Sequence, residues 1–248
     1  MSVPKREYRH GFVAETYDLV YSSKDYQGEA RKVVRILRSR LGRGRKGLLD
    51  VCCGTGEHLR YLKRSFRVEG LDGSRAMLRI ARKKLPDVSF HSGDMMSFDL
   101  GREYDAVINL FSSIGYARSI RNLNRAIRCM ARHLRPGGVL LVEPWVTPTA
   151  WRGRSAHLDV VEQPEIKIAR ASTSRRRGRL SWFDMHHLVA TSKQTTHFVE
   201  RHVLGLFTRG EMKQAFRKAG FGVEYDPEGL FGRGLYIGTK SGDGRRRQ

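Results

Sequence analysis

The amino-acid sequence predicts an α/β protein, a doubly wound, mostly parallel sheet carrying an antiparallel β insertion. Three observations lead there. Short apolar runs alternate with helix-period segments through the first 144 residues, as parallel βαβ units require. The first apolar run, Gly47-Leu48-Leu49-Asp50-Val51-Cys52, ends in the glycine turn Cys53-Gly54-Thr55-Gly56. After Pro144 helical periodicity fades, and it returns only at Thr208.

The elements follow in order. Residues 1–46 read as helical and basic, with Val33, Val34, Ile36, Leu37 and Leu41 at helical spacing among arginines. Residues 47–52 read as a buried strand and 57–64 as a helix. Then come a strand at 67–71, a helix at 74–84, strands at 88–91 and 105–110, and a helix at 120–134. Pro136-Gly137-Gly138 is expected to break the chain before a strand at 139–143. Residues 165–171, 180–190 and 196–207 are β-rich, separated by polar stretches; Arg175-Arg176-Arg177 reads as a solvated hairpin turn. Thr208, with Glu211 three residues on, signals a capped helix ending near Gly220. Strands at 221–225 and 234–238 complete the sheet. The expected division is a main domain of residues 1–144 and 208–240, an insertion of 145–207, and a disordered tail of 241–248.

Composition narrows the class. The chain has 248 residues, 40% hydrophobic and 29% charged, enough for a sizeable core and unlike a disordered or fibrous chain. Its net charge of +22 favours phosphorylated or polyanionic partners. Met1 to Phe12 contains no apolar signal core, and the apolar run Val139-Leu140-Leu141-Val142 is too short to span a membrane. Cys52, Cys53 and Cys129 form neither a disulfide framework nor a metal-ligand pattern. The expectation is a cytoplasmic protein with no bound metal and no membrane partner.

Four motifs fall at the carboxyl ends of successive strands, where a doubly wound sheet places its ligand crevice. The first is Asp50-Val51-Cys52-Cys53-Gly54-Thr55-Gly56, whose glycines permit close backbone approach. The second is Asp72 with Gly73, able to accept hydrogen bonds from ribose hydroxyls, or simply to cap the helix at Ser74. The third is Gly93-Asp94-Met95, able to receive an adenine, or an ordinary polar turn beside a core methionine. The fourth is Asn109-Leu110-Phe111-Ser112-Ser113.

Together these motifs resemble the Rossmann-like class I S-adenosylmethionine-dependent methyltransferases over residues 45–145 and the last two strands. The resemblance implies S-adenosyl-L-methionine as cofactor, with Asp50, Cys52, Gly54, Thr55 and Gly56 at its methionine end. Asp72 would hold the ribose, and Asp94 and Met95 the adenine, with Gly73 and Leu110 also lining the cofactor. A closer resemblance runs through Glu15 to Tyr21, Phe111-Ser112-Ser113-Ile114-Gly115, Val142-Glu143-Pro144-Trp145, His187-Leu188-Val189-Ala190, Leu206-Phe207-Thr208-Arg209 and Gly232-Arg233-Gly234-Leu235. In that order they are similar to the nucleotide-linked aminosugar N,N-dimethyltransferases of macrolide deoxysugar pathways. This implies that Tyr17 closes over the cofactor. It also implies that Tyr8, Ser113, Tyr116, Glu143, Trp145 and Arg233 bind the acceptor, and that the insertion supports a homodimer. Tyr116 stands where that family carries a histidine against the sugar ring.

Simpler readings stand beside these. His186, His187, His197 and His202 lack a carboxylate pattern and read as solvated or core histidines. The tryptophans and Cys52-Cys53 read equally as packing residues, and Arg233 as a solvated residue between glycines. For chemistry, an amine acceptor must shed a proton before attack; Tyr116 and Glu143 are the candidate catalytic groups. The alternative to a small-molecule amine N-methyltransferase is an RNA or nucleoprotein methyltransferase, or a nucleic-acid-binding protein that keeps the fold, either one favoured by the charge.

Overall fold

The computed structural model describes residues 11–153 and 155–242. The main sheet has seven strands in the order β10-β11-β5-β4-β1-β2-β3: β1 (Gly47–Val51), β2 (Arg67–Asp72), β3 (Ser89–Ser92), β4 (Tyr104–Asn109), β5 (Leu134–Val142), β10 (Phe221–Asp226) and β11 (Leu235–Lys240). β3, β2, β1, β4 and β5 are parallel neighbours, while β11 runs antiparallel to both β5 and β10. The central strands are apolar on both faces because helices cover both: Leu48, Leu49, Val51, Val107 and Ile108 have no exposure.

Two hydrophobic clusters line the two faces. One joins the sheet to α5 (Ile120–Arg132) and α6 (Arg209–Lys218). The other joins it to α2 (Tyr26–Leu41), α3 (Glu57–Leu62) and α4 (Arg75–Lys84). The helix starts carry the expected chemistry. Ser74 accepts from the Met77 amide, and Thr208 with Glu211 forms a reciprocal capping box. α1 (Gly11–Val20) precedes α2 and lies across the carboxyl ends of the strands.

The second sheet is an antiparallel meander of β6 (Ser155–Gln163), β7 (Ile166–Arg177), β8 (Leu180–Thr191) and β9 (Thr195–Gly205). Three expectations are corrected. β6 was not legible as a strand in the sequence. Arg175-Arg176-Arg177 belong to β7, paired with Trp182, Ser181 and Leu180; the turn is Gly178-Arg179, with Gly178 at φ +58°. Pro136-Gly137-Gly138 does not end one segment before another. It lies inside β5 as an irregularity, since Tyr104 pairs with Leu134 but Ala106 with Val139. The strand takes up the extra residues by placing Gly137 at φ +76°. Tyr8 and residues 243–248 of the tail lie outside the described residues.

Candidate active site

Site construction begins at β1. The strand ends with Cys52 at φ +65°, then Gly54 at φ +56° and Gly56 at φ +81°. Open space surrounds the side of Gly54 where a Cβ would project, so the backbone is bare toward the crevice. Gly56 differs: its missing Cβ would meet Leu85, Phe90 and Ala81, so that glycine serves the packing of α3 against α4. Asp72, at the end of β2, accepts the Gly54 amide at 2.8 Å and the Ser74 amide at 2.7 Å. One carboxylate therefore shapes the glycine turn and starts α4.

Tyr17, Tyr26, Asp50, Cys52, Cys53, Gly54, Thr55, Glu57, His58, Leu110, Phe111 and Ser113 line one cavity of about 50 Å³. Asp50 is buried, and its carboxyl is pushed well above the ordinary range, first by burial and then by the charge of Asp72. Burial likewise raises Asp72, opposed by the amides of Ser74, Gly54 and Gly73. Both Cys52 and Cys53 are raised by burial and hold protonated thiols, unsuited to nucleophilic chemistry. Asp94 turns its carboxylate to the Met96 amide at 2.8 Å, the capping role of an ordinary turn. Met95 is buried, its sulfur 3.9 Å from that of Cys52.

α1 connects the two sheets across this cavity. Asp18 accepts from Thr55 Oγ1 at 2.6 Å and pairs with Lys84 of α4. One turn on, the Tyr21 ring lies 4.7 Å beneath the Arg170 guanidinium of β7, which is itself paired with Asp159 of β6 at 2.7 Å. Burial pushes the Tyr17 phenol well upward, with Tyr21, Tyr26, Tyr116 and Asp72 all within electrostatic reach.

A second group sits beside the cavity. Phe111 (φ +52°) and Ser112 (φ +63°) are consecutive left-handed residues after β4, a strained turn of the kind found at binding loops. That turn directs the Phe111 amide to Glu143 Oε2 at 2.8 Å. Glu143 is fully buried; its other oxygen has no partner among the described residues. Burial raises its carboxyl to about 7 despite the Phe111 amide and the Arg233 charge. Arg233 is not a solvated loop residue. It donates to Ser112 Oγ at 2.8 Å and lies 4.8 Å over Trp145 and 4.9 Å over Phe231. No carboxylate among the described residues comes within ion-pair distance of it, and burial lowers its pKa. Trp145 is held by Ser181 Oγ at 3.0 Å and by the edge of Phe183.

The histidines of the second sheet are solvated at His186 and His197 and core residues at His187 and His202, as read from the sequence, but the carboxylate beside the buried pair was not foreseen. His187 and His202 are buried, and Glu200 is the carboxylate between them, 2.8 Å from His187 Nε2 and 3.7 Å from His202 Nε2. Tyr116 Oη stands 2.8 Å from His202 Nδ1. The signal was Glu200-x-His202 on β9, two residues that share a strand face. Tyr21, Lys24, Phe231 and His58 were also missed, since each becomes a site residue only when the α1–α2 connection, α2, α3 and the 227–234 loop meet.

Comparisons with known proteins agree with this architecture. Residues 48–138 match the family described as "Methyltransferase domain". The chain is 42% identical over 230 residues to the dTDP-3-amino-3,4,6-trideoxy-alpha-D-glucopyranose N,N-dimethyltransferase of Streptomyces venezuelae, covering 91% of this chain and 97% of that protein. It is 41% identical over 248 residues to the dTDP-3-amino-3,6-dideoxy-alpha-D-glucopyranose N,N-dimethyltransferase of Streptomyces fradiae, covering 98% and 96%. Among solved structures, SAM-bound CalS10, an amino pentose methyltransferase from Micromonospora echinaspora, superposes with a TM-score of 0.82 at 36% identity, covering 93% of this chain and 97% of that one. The chain belongs to this family of S-adenosylmethionine-dependent N,N-dimethyltransferases.

Proposed function

We propose that the chain transfers methyl groups from S-adenosylmethionine to the amine of a nucleotide-linked aminosugar. The carrying observation is Arg233, a largely desolvated guanidinium with no carboxylate partner among the described residues, set on Trp145 and Phe231 next to Glu143. A planar cation so placed suits the paired oxygens of a diphosphate. Lys24, 4.2 Å from the centre of the Phe231 ring and paired with Glu29, adds charge there. The relatives over nearly the full chain are named for nucleotide-linked aminosugars, which puts this reading ahead of an RNA substrate.

The residues present fit the cofactor. The bare backbone at Gly54 and the acids Asp50 and Asp72 match a cationic, hydroxyl-bearing nucleoside, with Thr55, Leu110 and Gly73 adjoining them. Asp94 and Met95 lie at the end of β3, next to Cys52, on the adenine side of this reading. S-Adenosylmethionine supplies an activated methyl group, so no protein nucleophile is required. The chain's own tasks are to orient the amine, exclude water and receive a proton. Orientation alone can contribute ~7–11 kcal/mol in well-aligned systems. Glu143, with one unpaired oxygen, is placed to accept a hydrogen bond from the acceptor. Trp145 and Ser113 form the adjoining wall.

The wider reading places residues 145–207 as a roof over the acceptor and as the contact between two subunits of a cytoplasmic homodimer. No described helix is long and apolar enough to cross a membrane. The deciding experiment compares methyl transfer to aminosugars with and without a nucleoside diphosphate, using native enzyme and Arg233→Ala. A loss of ten-fold or more confined to the phosphorylated acceptors supports the reading. Equal rates on both, before and after the change, reject it.

A further inference from the structure

The first methyl transfer to a primary amine leaves a secondary ammonium, and a second transfer to the same nitrogen requires that proton to leave inside a closed pocket. An aliphatic ammonium holds its proton near neutral pH, so the deprotonation must be assisted. Glu143 is one acceptor, through the oxygen that the Phe111 amide leaves unpaired. Another route is built into the second sheet.

We infer that Tyr116, His202 and Glu200 form a proton relay that readies the monomethylated amine for its second methyl group, an assignment resting on the dimethyltransferase reading above. Tyr116, in the 3-10 turn Ser113–Ala117, lies on the Tyr17 side of the site and meets His202 Nδ1 at 2.8 Å. On the far side of the imidazole, Glu200 Oε1 stands 3.7 Å from Nε2, and Glu200 Oε2 is 2.8 Å from His187 Nε2. His187 is itself clamped by stacking on Phe198, with ring centres 4.5 Å apart. Burial opposes ionisation of Glu200, yet its two histidine neighbours outweigh burial and hold it at about 2. The carboxylate is therefore ionised and can only accept, which favours the proton on Nε2 of His202. Nδ1 then faces Tyr116 as a lone pair. Among the described residues, Tyr116 of the turn and Glu200 of β9 face the ring, with His187 of β8 beyond Glu200 and Arg118 on the neighbouring Val203 carbonyl.

The step balances without a co-reactant. The ammonium N–H proton moves to Tyr116 Oη as the phenol proton moves to His202 Nδ1. The phenol stays neutral, the imidazole becomes imidazolium beside Glu200, and the amine regains its lone pair. His202 returns the proton to water between catalytic cycles. The chain thereby places an imidazole behind Tyr116, reached from β9. Tyr116 and His202 are positioning and relay groups, and a second-transfer defect separates them from packing residues.

The experiment measures mono- and dimethylated product from a nucleotide-linked aminosugar with native enzyme, Tyr116→Phe, His202→Gln and the double variant. The relay predicts a fall of roughly ten- to hundred-fold in the second transfer, a much smaller change in the first, and a double variant no worse than either single one. Binding of S-adenosylhomocysteine, read by calorimetry, should be unchanged and shows that the variants are folded. An unchanged product ratio, or equal loss in both transfers, overturns the relay. Nitrogen NMR of the native protein tests it without turnover or a variant. The Nε2–H tautomer at His202 is expected, and the Nδ1–H tautomer overturns the proposal. If native enzyme methylates no amine, the dimethyltransferase reading falls, and the tautomer still decides the geometry of the relay.

Discussion

Glu143 ends β5 wholly buried, with one oxygen bound to the Phe111 amide and the other unpaired. In the unfolded chain its carboxyl titrates near 4.5; in the fold, near 7. Between these values the folded protein retains a proton that the unfolded chain has released. Its contribution to stability is thus complete below pH 4.5 and is lost as pH rises through 7. Glu143→Gln keeps the shape and removes the titration. The variant is expected to be about 1–3 kcal/mol more stable than native protein at pH 8, with the difference vanishing at pH 4.5. Urea unfolding at the two pH values checks this, and a difference independent of pH would contradict it. Residues of this kind were only partly legible in the sequence. Asp50, Asp72 and Gly54 could be found because each follows a strand that can be read from its apolar run. Glu200 and His202 could not, because their partners His187 and Tyr116 come from a neighbouring strand and a distant turn.

At the scale of elements, helices with capping chemistry were readable almost to the residue. Thr208 accepts the Glu211 amide and the Glu211 carboxylate returns to the Thr208 amide, the reciprocal pattern foreseen from two residues three apart. Thr208→Ala should cost about 1 kcal/mol of stability, since one capping acceptor disappears while Glu211 keeps its ion pair with Arg179. Thermal unfolding should show the loss with donor affinity intact, because α6 lies on the sheet face away from α2 and α3. Strands were harder. β5 contains Pro136-Gly137-Gly138, breakers by composition, yet its neighbour β4 holds both ends in register around them. β7 carries three arginines whose charge says turn and whose cross-strand pairing says strand. Pairing is a property of two segments, and local composition records one of them.

For the whole molecule, the second sheet is uneven. Leu158 and Val160 on β6, Leu188 on β8 and Val199 on β9 share one face, by strand alternation and register, and are 66%, 60%, 49% and 41% exposed. Residues on the other face of the same sheet, Ile168 on β7 and Val189 on β8, are 1% exposed. An apolar sheet face of this size suits self-association through a symmetric contact. Light scattering is expected to give a dimer, and Leu158→Asp combined with Val160→Asp a monomer. A native monomer at micromolar concentration would refute the contact.

The carboxyl end of α1 is tied twice, by Asp18 to Thr55 and Lys84 and, one residue past the helix, by Tyr21 to Arg170. Closed in this way it leaves a cavity of about 50 Å³, far less than a nucleoside needs. The expectation is that it moves aside for the donor and returns to complete the wall near Tyr21 and Phe111, whose rings meet edge to face at 5.2 Å. The consequence is a compulsory sequence in time: donor first, acceptor second, spent donor last. Steady-state inhibition by S-adenosylhomocysteine should accordingly be competitive against the donor and noncompetitive against the acceptor. Random-order patterns would mean that α1 opens independently of the chemistry it covers.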